Sequence, residues 1–304
     1  MKFEVTILGS SSATPIYNRN PTSQALNIND KWYLIDCGEG TQQQMLRFEI
    51  KASKIDDIFI SHLHGDHYLG LVGLLSSLHL NGRKKPLCIY CPAPLKEIIE
   101  LQLRYSETVL NYPIQYKFTN GSLAEVIFEN DDITVETIPL DHRIPCTGFL
   151  FRQKKRMRRL IKEKVEELGI PVPYYTSLKK GRDYTAIDGT VYANSLFTIA
   201  PEEPRSYAYC SDTLYNENYF KKIANVSLLY HEATFMNDML DRARETHHTT
   251  AWQAGDVAQK VGAKQLVIGH FSARYKKLDG LLDEARSTFP ETELAVEGKT
   301  FVIS

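Results

Sequence analysis

The sequence predicts an α/β fold organised around a metal site, and three observations lead there. Strand-length apolar runs alternate with helix-length segments from Phe3 to Ile303, with no internal repeat and no low-complexity tract. The heptapeptide Ser61-His62-Leu63-His64-Gly65-Asp66-His67 holds three of the nine histidines, directly after the apolar run Ile58-Phe59-Ile60. Three further ligand-type residues, His142, Asp212 and His270, each follow a strand-like run.

In chain order, residues 3–9 read as a strand, followed by a polar loop from Ser10 to Ser23. Ala25–Ile28 and Trp32–Asp36 form a hairpin around Asn29-Asp30. After Cys37-Gly38-Glu39-Gly40, Thr41 caps a helix over Gln42–Phe48. Asp57–Ser61 is the strand that delivers the histidines, and His67–Leu80 reads as one buried helix. A strand at Leu87–Cys91 precedes a helix from Pro94 to about Val109. Strands follow at 116–118, 124–128, 133–138 and 148–151. After residue 204, strands at 206–210, 226–230, 266–269 and 301–303 frame helices at 250–261 and 280–288.

The chain of 304 residues is read as a single domain, 1–304, with one insertion at 152–204. Composition changes there. Eight of the thirteen residues from Arg152 to Lys164 are basic, namely Arg152, Lys154, Lys155, Arg156, Arg158, Arg159, Lys162 and Lys164, against one Glu. With a net charge of -1, the protein as a whole is no polycation, so this run is the place for a nucleic-acid contact. Such contacts would grip phosphates and position RNA without reading its bases. No apolar stretch is long enough to cross a membrane, and the N-terminus alternates like a strand and lacks a signal-peptide core. Five scattered cysteines suit a reducing cytoplasm, and Cys88-Ile89-Tyr90-Cys91 reads as two packed thiols.

Imidazole and carboxylate are ligands that zinc and related divalent ions take. His62 and His64, two apart in an extended segment, point the same way and can chelate one ion. Gly65 permits a turn, after which Asp66 and His67 can serve a second. A cluster this dense without cysteine suits an open, catalytic, two-metal site rather than a closed structural one. Such a site needs more ligands than the heptapeptide supplies, and His142, Asp212 and His270 stand where strands would aim them. A carboxylate such as Asp212 suits a bridge, one oxygen to each ion.

The order H-x-H-x-D-H resembles the metallo-β-lactamase superfamily. Leu34-Ile35-Asp36-Cys37-Gly38-Glu39-Gly40-Thr41-Gln42, Tyr230-His231-Glu232-Ala233-Thr234, His248-Thr249-Thr250 and Gly269-His270-Phe271-Ser272-Ala273-Arg274-Tyr275 narrow the resemblance to the ribonuclease Z family, over nearly the whole chain. The resemblance implies an αββα sandwich with a protruding basic arm. It implies two zinc ions per subunit, one on His62, His64, His142 and Asp212 and the other on Asp66, His67, Asp212 and His270. It implies a cytoplasmic homodimer in which one subunit's arm serves the other's site, and precursor tRNA as substrate. Cleavage of the 3′ trailer would leave a 3′-hydroxyl on the tRNA and a 5′-phosphate on the trailer. A hydroxide shared by the metals would attack the phosphodiester, with Asp66 orienting it or taking its proton. His248 is the candidate for protonating the leaving group, with Glu232 and His231 orienting or relaying. His247 is given no role. Where the family's arm carries a Gly-Pro pair, this chain has Gly169-Ile170-Pro171-Val172-Pro173-Tyr174.

Two other classes predict different sequences. A hydrolase of a small ester, thioester or lactam on the same fold needs no basic arm and has no use for His231-Glu232 or His248. A non-catalytic RNA-binding protein would be expected to have lost Asp66 or a ligand, and none is missing.

Overall fold

The computed structural model describes residues 2–16 and 18–304. The chain divides into two compact units. The first comprises Met1–Asn130, Thr134–Phe151 and Ser206–Ser304, and the second Asp131–Ile133 and Arg152–Arg205.

Two seven-stranded sheets build the first unit. One runs Thr300–Val302, Phe3–Gly9, Ser23–Ile28, Lys31–Ile35, Ile55–Phe59, Leu87–Cys91, Ile114–Phe118. The other runs Thr292–Leu294, Leu266–Gly269, Leu228–Glu232, Ser206–Cys210, Cys146–Gln153, Ile133–Leu140, Val126–Glu129. Rings from both sheets meet between them. Phe59 stacks on Tyr90 at 4.5 Å and meets Phe149 and Phe151 edge-on at 5.4 and 5.3 Å. Each such pair is worth about 0.5–1.5 kcal/mol beyond the area it buries. Helices cover the outer faces. Met45, Leu71, Leu74, Leu75, Leu95 and Ile99 pack on the first sheet, and the helix Ala251–Val261 contacts Leu228–Glu232 and Leu266–Gly269. The layers are therefore α, β, β, α.

Topology places the site. Lys31–Ile35, Ile55–Phe59 and Leu87–Cys91 are parallel neighbours, as are Ser206–Cys210, Leu228–Glu232 and Leu266–Gly269. Parallel strands deliver their C-terminal ends to one edge. Ser206–Cys210, Leu228–Glu232 and Leu266–Gly269 are buried along their whole length, and their largely apolar stretches are what sequence patterning finds.

Several boundaries differ from expectation. The single helix over 67–80 is two, Gly65–Tyr68 and Leu71–Leu80. The break is at Gly70, whose amide binds the Cys37 carbonyl at 2.9 Å. A Cβ on Gly70 would lie 2.2 Å from the Gly38 oxygen, so this crossing requires glycine. The helix from Pro94 ends at Tyr105, four residues early, because the Ser106 hydroxyl turns back to the Leu103 carbonyl at 3.1 Å. Thr41 is the first helical residue rather than the cap, and its hydroxyl binds the Gly38 carbonyl at 2.7 Å. Leu240–Thr246 is a helix absent from the expectation. Only Ala243 in it is buried, so it carries no apolar stripe to read.

The second unit has a small core of Val165, Ile170, Leu178, Tyr184 and Phe197. It contains the helices Lys162–Glu167 and Tyr175–Lys179 and two antiparallel pairs of two-residue strands, Arg159–Leu160 with Thr198–Ile199 and Tyr184–Thr185 with Val191–Tyr192. The basic run is less uncompensated than its sequence implies. Lys162 pairs with Glu166, Lys164 with Glu167 and Arg156 with Asp132.

Candidate active site

Two ligand clusters form at the strand-end edge of the first unit. His62 Nε2, His64 Nδ1, His142 Nε2 and Asp212 make one. His64 Nδ1 lies 3.1 Å from both His62 Nε2 and His142 Nε2. Asp66, His67 and His270 make the other, with His270 Nε2 3.3 Å from Asp66 Oδ2 and 3.4 Å from His67 Nε2. Asp212 stands between them. Its Oδ2 is 3.6 Å from His62 Nε2, and its Oδ1 is 3.2 Å from His270 Nε2 and 3.4 Å from His67 Nε2. Ligands about 2.0–2.1 Å from a tetrahedral zinc lie about 3.3 Å apart, so both clusters fit divalent cations.

Outer partners fix which ring nitrogens face inward. His142 Nδ1 donates to the His247 carbonyl at 2.9 Å, leaving Nε2 with its lone pair toward Asp212. His67 Nδ1 donates to Asp36 Oδ2 at 2.8 Å, leaving Nε2 for the second cluster. Asp36 also accepts from the Ser61 amide at 2.7 Å, the Ser61 hydroxyl at 2.8 Å and the Tyr209 hydroxyl at 2.6 Å. Asp36 (φ 53°) and His270 (φ 59°) occupy the left-handed region, a strain the packed surroundings must hold.

Electrostatics follow the burial. Burial pushes His142 down to about 4 and His62 well below its usual range, so both are neutral, as ligands must be. Burial would raise Asp66, but His67 and His270 beside it hold it well below the usual carboxylate range. The Ala13 amide donates to its Oδ2 at 2.7 Å.

A pocket of about 320 Å³ opens over the clusters, lined by Ala13, His64, Asp66, Arg143, Asp212, His248 and His270, among others. His248 Nδ1 donates to Glu232 Oε1 at 2.9 Å, which leaves Nε2 as the other ring nitrogen. Glu232 is fully buried and also accepts from the amides of Thr213, Thr234 and Thr249. His231 does not join them. Adjacent strand residues point to opposite faces, and His231 binds the Tyr219 hydroxyl at 2.8 Å and the Glu232 carbonyl at 2.7 Å. Its ring turns toward Tyr219 rather than toward His248.

Of the residues named from sequence, His62, His64, Asp66, His67, His142, Asp212, His270, Glu232 and His248 converge here, and His231 turns away. The eight basic residues of 152–164 belong to the second unit. Arg158 and Arg159 there border an open hollow with Met157, Leu160 and Lys179. Sequence reasoning gave no role to Asp36, Arg143, Thr234 or the His247 carbonyl. Asp36 and Thr234 lie inside quoted motifs, but a partner to a ligand has no spacing signature of its own.

Comparison with known proteins agrees with this geometry. The family model described as Anti-Pycsar protein Apyc1 matches residues 3–157. The chain is 46% identical over 296 residues to Ribonuclease Z of Bacteroides fragilis, covering 97% of both chains. Among solved structures, human tRNase Z, short form, is 26% identical with a TM-score of 0.71 over 99% of both chains. The metallo-beta-lactamase fold protein YhfI from Bacillus subtilis, 18% identical, has a TM-score of 0.69 over 99% of this chain and 100% of its own. The αββα arrangement is thus the metallo-β-lactamase fold.

Proposed function

We propose, from the premise that this chain belongs to the ribonuclease Z family and is an endoribonuclease, that it removes the 3′ trailer from tRNA precursors. Cleavage of the P–O3′ bond leaves a 3′-hydroxyl on the tRNA and a 5′-phosphate on the trailer. The observation that carries this reading is His248, held by Glu232, on the wall of the same pocket as Asp66 and Asp212. A hydrolase acting on a good leaving group needs no such acid, whereas a ribose O3′ does.

Zinc is the cation proposed, two per subunit, on the ligand sets His62, His64, His142, Asp212 and Asp66, His67, Asp212, His270. When bound, such ions supply a water activated near neutral pH and neutralise charge building on phosphoryl oxygens. Asp66, held ionised by His67 and His270, orients the attacking water. Arg143 adds a positive charge on the pocket wall. His248 Nε2 gives its proton to O3′ as the P–O3′ bond breaks, and Glu232 stabilises the ring while it is charged. Burial would lower His248, but Glu232 raises it above the usual histidine range, which favours the acid form.

The second unit is proposed as the tRNA-binding arm, whose basic residues grip phosphates away from the cut. In a homodimer one subunit's arm would serve its partner's site, and the work would be done in the cytoplasm. Among the described residues, no helix is long and apolar enough to cross a membrane.

The test is to incubate the protein with a 3′-extended tRNA precursor and map the cut. Cleavage at the acceptor end that falls by roughly a thousandfold or more in Asp66→Ala supports the reading. Intact precursor with hydrolysis of a thioester sinks it. Deleting 152–204 should spare a small phosphodiester and abolish precursor cleavage. If both activities survive, the arm assignment is wrong.

A further inference from the structure

The hydroxyl of Thr234 stands at a junction that the proposed chemistry leaves unused. Its Oγ1 is 2.7 Å from Glu232 Oε2, 2.9 Å from His270 Nδ1 and 3.3 Å from His248 Nδ1. Proton accounting gives it one arrangement. The Glu232 carboxylate only accepts, so the single Thr234 proton goes to Glu232. The hydroxyl lone pairs then remain for Nδ1–H of His270 and, more weakly, of His248. His270 is thereby fixed with its proton on Nδ1 and its Nε2 lone pair toward Asp66 and Asp212. The other oxygen of Glu232 does the same for His248 directly, at 2.9 Å.

We propose that Thr234 is a positioning residue that ties the ligand His270 to the carboxylate that orients His248, so that one buried Glu232 sets the ring nitrogens of both. The inference rests on the two-metal reading of the site. It differs from the role of Asp36, which supports only His67 in this cluster.

The experiment compares wild type, Thr234→Val and Thr234→Ser by titrating zinc into metal-stripped full-length protein against a chromophoric chelator. Valine keeps the shape and the backbone amide that binds Glu232 but removes the hydroxyl. Wild type should take up two ions. Thr234→Val should keep one affinity within about threefold and weaken the other roughly 10–100-fold, the range for losing an outer partner of a ligand. Thr234→Ser should restore the second site to within about threefold. Cleavage lost in Thr234→Val should return in large part as zinc is raised, which a misfolded strand end would not allow. Two unchanged affinities in Thr234→Val, or equal weakening of both sites with a fall in melting temperature, would overturn the role of Thr234 alone. A wild-type protein that takes up no zinc would overturn the metal-centre reading along with it.

Discussion

Two carboxylates along the strand Ile55–Phe59, Asp36 buried beyond its C-terminal end and Asp57 half-buried at its middle, meet opposite surroundings. Beyond Phe59, Asp36 is fully buried and accepts four hydrogen bonds, from the Ser61 amide and hydroxyl, His67 and Tyr209. At the middle of the strand, Asp57 lines a cavity of about 550 Å³ with Trp32, Lys54 and Lys85. Burial, with Asp56 beside it, pushes Asp57 up to about 6 despite Lys85, Arg83 and Tyr90. The difference shows what the donors at the site are for. A carboxylate surrounded by donors is a strut that orients a ligand. Asp57, half-buried beside a second carboxylate, is instead pushed toward its protonated form.

The strongest way to break the comparison is Asp36→Ala. It would leave His67, Tyr209 and Ser61 without their shared acceptor, at a cost of about 3–5 kcal/mol. Urea unfolding of the metal-free protein measures this. A loss under about 1 kcal/mol would mean that these donors find other partners, and that Asp36 is no strut.

A narrower test uses the neighbours His231 and Glu232. Replacing His231 with Phe should cost about 1–3 kcal/mol of stability, since it strands the Tyr219 hydroxyl. Turnover should stay within roughly threefold. His248→Ala should instead lower turnover by about 10²–10⁴. Equal effects on turnover would restore His231 to the catalytic machinery.

The same contrast explains what was readable in the sequence. Ligands at strand ends were readable, because parallel strands write themselves as apolar runs and the residue that follows is fixed in place. Asp212 and His270 are legible that way, while His142 follows an antiparallel strand, Ile133–Leu140, that reads by its alternation instead. The orientation of His231 is not legible, because motif adjacency says nothing of which face a side chain takes, and the strand extends two residues beyond the apolar run, to Glu232. The break at Gly70 was hidden because it depends on Cys37 and Gly38, which are distant in sequence. Asp36 and Thr234 act through a ligand rather than on a metal, so only the folded contacts reveal them.

The smallest expected effect concerns Asp57. Its folded value of about 6 lies above an ordinary carboxyl, so the fold favours its protonated form. That stabilisation is complete below about pH 4 and is lost as pH rises through 6. Wild-type stability should therefore decline over this window relative to Asp57→Asn, which stays neutral throughout. The gap at pH 7 should be about 1–2 kcal/mol in favour of Asn, reduced from the full linkage value because solvent reaches part of the carboxyl. Urea midpoints of both proteins at pH 4 and pH 7 decide it. Parallel curves would show that burial leaves Asp57 unshifted, and the contrast between the two carboxylates would then collapse.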